Sequence, residues 1–226
     1  NLYYQSGKVA GLFDPILTKL NENDFIKGLK AGEGSKLNPI DYYGGATEEG
    51  KYYYLSSSSI NESKELKGHL VGDGKTLRSN NLTPFNLITG AVSGIRFVVT
   101  STTEAKNAGR VRGNEFEEKD LPSGVAYENK GIIFAVNVYA KGFKGLDSSF
   151  GNVLYSFNAG IAQYNSGLIS DCGVVFNVKS LHAGLVSICG TPGTPTDKNP
   201  GTPGVIKNSY ATGAVHEKAE YALADC

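Results

Sequence analysis

The sequence has no methionine and no tryptophan, and only three cysteines in 226 residues. Those three, Cys172, Cys189 and Cys226, form no Cys-x-x-Cys pair, which removes the usual structural zinc site. Charge is scarce at 19%, with 22 basic residues balancing 22 acidic ones. A neutral chain lacks the concentrated positive field that nucleic acid or an anionic membrane surface requires, so neither is expected as a partner. No apolar run approaches the length that spans a bilayer. The motifs of common catalysts are missing too: there is no His-Glu-x-x-His, no Gly-x-Ser-x-Gly and no phosphate-binding loop. The only histidines, His69, His182 and His216, stand far apart in the chain. No cofactor and no metal are expected.

What is abundant is the chemistry of strands and turns. The chain holds 29 Gly, 13 Tyr and 10 Phe, with many Ser, Thr, Asn and Val. Residues 1–7 resemble the recognition site of a viral protease used to release tags, with Tyr4 in place of Phe, and are set aside as a remnant. The missing methionine and a last residue, Cys226, that falls in mid-pattern suggest a piece of a longer protein. One short helix is expected over 23–30, with Asn23 as its N-cap and Gly32 as its stop. Tyr52, Tyr53, Tyr54 and Leu55 then read as an aromatic strand, and Asp73 with Gly74 as a turn between two strand pieces. Residues 8–84 are therefore taken as an N-terminal cap and first coils.

From residue 85 to 226 the chain repeats. Units near 85–100, 123–139, 159–178 and 183–215 share a glycine with an apolar and a small residue, then Asn or Ser, a second glycine and an apolar alternation. Gly94, Gly131, Gly167 and Gly204 are aligned as equivalent, with separations of 37, 36 and 37 residues. Ile95, Phe97 and Val99 alternate, as do Ile132, Phe134, Val136 and Val138. Such strands bury an apolar face only by stacking unit on unit. The expected fold is all-β, a right-handed parallel β-helix with a helix-containing cap and long loops at 100–122 and 190–203. A Greek-key sandwich is the competing architecture. Asn129, Asn165 and Asn208 fall at bends, where asparagine bonds its neighbours or tolerates a left-handed backbone.

The last unit carries Gly204, Val205 and Ile206, then Asn208, Ser209, Tyr210, Ala211, Thr212, Gly213 and Val215. This closely resembles the GLUG motif of bacterial surface and secreted proteins; residues 167–172 are a poorer copy, with Asp171 and Cys172 in place of Asn and Ser. The resemblance implies a right-handed β-helix in adhesin-like proteins and in the repeat regions of immunoglobulin-A-cleaving metallopeptidases. It implies an extracellular or cell-surface location and carries no catalytic residue.

The functional expectation is accordingly a non-catalytic extracellular segment serving adhesion or acting as a scaffold, with a host protein or glycan as its partner. Tyr42, Tyr43, Tyr52, Tyr53 and Tyr54 are the candidate ligand-binding cluster, unless alternate tyrosines fill the end of the core. The alternatives are a carbohydrate-active β-helix enzyme fragment or an accessory module of a secreted protease. For the former, Asp120, Glu128 and Asp171 are the acids that could line an outer face. Cys172 and Cys189 either pair as a disulfide or are small buried hydrophobes. End-to-end self-association through an open strand edge is also expected.

Overall fold

The structure, a computed structural model, describes residues 33–36, 38–60, 64–102, 121–142, 156–176, 181–191 and 203–213. Among these there is no helix, and the helix expected over 23–30 lies outside them. The cap region that is described consists of strands: β1 (Ile40–Tyr42) and β2 (Tyr52–Leu55) pair in parallel, and β2 pairs with β4 (His69–Val71).

From β3 (Lys64–Leu66) onward the chain visits three sheets in a fixed order. The first circuit is β3, β4 and β5 (Thr76–Asn80). The second is β6 (Phe85–Ile88), β7 (Ala91–Ser93) and β8 (Arg96–Thr100). The third is β9 (Ala126–Asn129), β10 (Ile132–Phe134) and β11 (Asn137–Lys141). A short strand β12 (Phe157–Ala159) precedes β13 (Ala162–Asn165), β14 (Leu168–Ser170) and β15 (Gly173–Phe176). Another, β16 (Leu181–Ala183), precedes β17 (Val186–Ile188), β18 (Val205–Lys207) and β19 (Tyr210–Thr212).

Every strand pair is parallel. The sheets run β3-β6-β9-β13-β17, then β1-β2-β4-β7-β10-β14-β18, then β5-β8-β11-β15-β19, with β12 and β16 as a two-stranded fourth. We call the first three the D, B and C sheets. Two facing antiparallel layers, the Greek-key alternative, are not what these strands form.

Alternation puts one row of each sheet inward. Leu70, Val92, Ile133 and Ile169 stack along sheet B, and Leu77, Phe97, Val138 and Val174 along sheet C, all buried in one core. Phe85, Ala126, Ala162 and Val186 do the same along sheet D. Each strand is too short to bury its apolar face alone. Stacking identical registers removes that face from water, at about 1.5–3 kcal/mol for each fully buried large side chain.

Two rows of glycines make the corners possible. A Cβ on Gly90 would strike the carbonyl oxygen of Gly68, one on Gly131 that of Gly90, and one on Gly167 that of Gly131. At the other end of sheet D, a Cβ on Gly124 would strike the carbonyl of Gly160, and one on Gly160 that of Gly184. The corner amides continue the ladder: Gly131 N–H donates to Ile88 O at 2.9 Å and Gly167 N–H to Asn129 O at 3.1 Å.

The alignment of Gly94 with Gly131, Gly167 and Gly204 is corrected by the register. Ala91 pairs with Ile132, so the residue equivalent to Gly131 is Gly90. Gly94 belongs to the next corner, with Ala135, Asp171 and Asn208, all left-handed at φ of 63°, 49°, 54° and 47°.

Candidate functional site

The five tyrosines of the expected binding cluster divide between inside and outside. In β2, Tyr53 and Leu55 point inward and Tyr52 and Tyr54 outward, as a period of two demands. Tyr42 is also buried and meets Tyr53 edge to face, with centroids 6.0 Å apart. The Tyr42 hydroxyl donates to Gly45 O at 3.0 Å, and the Tyr53 hydroxyl accepts from Glu48 N at 2.9 Å. Burial, reinforced by neighbouring Tyr53, pushes the Tyr42 phenol up to about 12. Both rings belong to the buried apolar core. The five therefore form no single surface, and only Tyr43, 65% exposed, is freely accessible.

On the outer side, Tyr52 stacks on His69 with centroids 4.7 Å apart, and the Lys75 ammonium lies 4.2 Å above the Tyr54 ring. Burial, then the nearby Lys36 charge, hold the His69 pKa below its ordinary value. Among the described residues no group of three His, Cys, Asp or Glu is placed to hold a metal.

Of the acids considered for catalysis, the two described ones stand on different parts of the fold. Glu128 lies on sheet D, its carboxylate 3.1 Å from Lys130. Asp171 occupies a left-handed corner and accepts from Ser170 Oγ at 2.6 Å. Asp120 lies outside the described residues, as do Glu115, Glu117 and Glu118, and so do His182's side chain and His216.

The asparagines take two structural positions. Asn129 and Asn165 are wholly buried at the end of their sheet D strands, continuing the row that Leu66 and Ile88 begin. Asn129 Nδ2 donates to Asn165 Oδ1 at 2.7 Å. Asn208 sits instead at the exposed left-handed corner, beside Ser209, whose hydroxyl donates to Lys207 O at 2.7 Å and accepts from Cys172 N at 3.1 Å.

Of the two readings of Cys172 and Cys189, the disulfide between them is not formed. Cys172 is a free, buried thiol, while Cys189 is disulfide-bonded. Cys172 follows the left-handed corner where Ile95 and Val136 stand in earlier circuits, and fills that apolar row as a small hydrophobe. Burial raises its thiol to about 12.

The surface that sequence reasoning missed is the outer face of sheet C. Arg78, Val98, Tyr139, Val175 and Thr212 form one outward row in register, and Thr76, Arg96, Asn137, Gly173 and Tyr210 another. Tyr139, Val175 and Tyr210 are among the few exposed large apolar residues, at 39%, 42% and 52%. The Tyr210 ring occupies the space above Gly173, where a Cβ would lie 2.7 Å from its Cζ. The available signal was plain alternation: Val138 and Ala140 inward place Asn137, Tyr139 and Lys141 outward.

Among the described residues no helix is long and apolar enough to cross a membrane. No protein-family model, no curated protein and no solved structure matches this chain.

Proposed function

We propose that the chain is a non-catalytic segment of right-handed parallel β-helix from a GLUG-motif bacterial surface or secreted protein, working outside the cell as an adhesive scaffold. The observation that carries the reading is the stacking of parallel strands in register over successive circuits of three sheets. Parallel crossovers between strands of one sheet are right-handed in about 98% of cases, which supports the handedness. The motif residues also behave as architecture: Asn208 takes the left-handed corner, and Gly204 stands where its Cβ would meet the Asn165 side chain. A stack of this kind is stiff and offers flat outer faces to a host protein or glycan.

The same reading favours end-to-end self-association. Val205 and Tyr210, on β18 and β19, are 46% and 52% exposed, and these strands are the last in their sheets among the described residues. Sedimentation at rising concentration tests this, and a monomer throughout counts against it.

A panel of glycans and host matrix proteins, scored for both retention and cleavage, tests the function. Retention without products is expected. Product release would instead favour a carbohydrate-active enzyme, and the flanking gene sequence would reveal a protease to which the segment is accessory.

A further inference from the structure

We propose that the outer face of sheet C is a docking surface for a linear acidic polysaccharide, one bearing carboxylates along its chain. This rests on the adhesive reading and names the partner class and the face.

The observation is a difference between two faces of one neutral protein. At the corners that follow β3 and β9 of sheet D the lysines are neutralised locally: Lys67 lies 3.4 Å from Glu65, and Lys130 lies 3.1 Å from Glu128. On sheet C the outward cations are Arg78, Arg96 and Lys141, exposed, on the successive strands β5, β8 and β11. None is paired with a described acid, and no described outward position of this sheet is acidic. Uncompensated cations gathered on one face attract an anion even where the total charge of the chain is zero.

The geometry then selects among anions. Arg78 shares its register row with Tyr139, Arg96 lies two residues to one side of that row and Lys141 two residues to the other, so the positive charge is spread obliquely over three adjacent strands. Charge spread in this way suits an extended polymer better than a compact ion. Exposed Tyr139, Val175 and Tyr210 share the face, and aromatic rings bury the C–H faces of sugars at small entropic cost. Three cations are too few for the field that nucleic acid binding requires.

The test uses the whole chain and measures binding to polygalacturonate, with dextran and duplex DNA as comparisons. We expect R78S/R96S/K141S to weaken polygalacturonate binding by about tenfold or more, with the loss concentrated at low salt. The matched control K67S/K130S, at the corners beside sheet D, should stay within about twofold. Y139S should weaken polygalacturonate and leave any DNA binding unchanged. Thermal melting of each variant checks the fold, since all these side chains are outward. Equal binding by the triple variant, DNA held as tightly as polygalacturonate, or no binding of polygalacturonate would each overturn the proposal. If polygalacturonate fails while a neutral glycan or a host protein is retained, this inference falls and the adhesive reading stands. No retention of anything on the panel counts against both.

Discussion

Asn129 and Asn165 form a buried amide step, Nδ2 of the first to Oδ1 of the second at 2.7 Å, where the two preceding circuits place Leu66 and Ile88. The interior row thus changes from apolar to hydrogen-bonded partway along the stack. Removing one partner leaves a buried amide unpaired, which costs about 1–3 kcal/mol. Asn129→Ala should therefore lower the melting temperature by roughly 2–4 °C for each kcal/mol lost. Replacing both with Leu extends the row of Leu66 and Ile88, and should cost less than the sum of the single Leu changes. A double-mutant cycle by denaturant unfolding checks this, and strict additivity would contradict the pairing.

The two glycine positions that look alike in sequence should respond differently to alanine. Gly131 is needed for close approach, because a Cβ there meets the carbonyl of Gly90. Gly131→Ala should cost about 3 kcal/mol or more, at the upper end of overpacking effects. Gly94 is needed only for its left-handed φ of 63°, and its Cβ would find nothing closer than 3.4 Å. Ala135 already holds that conformation one circuit on. Gly94→Ala should thus cost about 1–2 kcal/mol. Chemical unfolding of the two variants decides the order.

Much of this could be read from residues, and the failures have physical causes. Alternation of Phe97 and Val99 showed which side of β8 faces inward, but the row read through Ile132, Phe134, Val136 and Val138 crosses the left-handed corner at Ala135. Ile133 is the inward residue of β10, and Ile132 and Phe134 pack outside the main core with Ala91. The phase of the repeat was misjudged because glycine serves two purposes. Ser93-Gly94-Ile95 and Lys130-Gly131-Ile132 look equivalent, yet one glycine supplies a left-handed φ and the other supplies space. Elsewhere the left-handed corner is filled by Ala135, Asp171 or Asn208, which conceals its row. The tyrosine cluster failed as a surface because its spacing of one residue sends neighbours to opposite faces. The sheet C face was invisible because Arg78, Arg96 and Lys141 lie far apart along the chain and come onto one face only through the pairing of β5, β8 and β11.

Cys172 should resist thiol reagents in the folded protein. It is buried, and its thiol is raised to about 12, so almost no thiolate exists at neutral pH. Alkylation followed by peptide mass spectrometry should find Cys172 unmodified until denaturant is added. Rapid labelling in the native state would contradict its place in the core.

Stability should fall on acidification through the histidine range. The His69 pKa is lowered in the folded state from 6.5, so the unfolded chain binds the proton first. The contribution is fully present above pH 6.5 and is lost as pH falls below it, through the lower folded value. His69→Phe keeps a ring against Tyr52 and should flatten this part of the profile. Melting curves between pH 7.5 and 5, values chosen about one unit or more to either side, provide the comparison.

The winding of the chain through three parallel sheets can be tested with one distance. Register stacks Arg78, Val98, Tyr139, Val175 and Thr212, so residues remote in sequence stand four strand steps apart. Spin labels attached through a keto amino acid at Arg78 and Thr212 should give a narrow distribution, centred near a backbone separation of about 19 Å. A broad distribution, or one centred well beyond about 30 Å, would mean that the circuits do not lie on one another as that spacing requires.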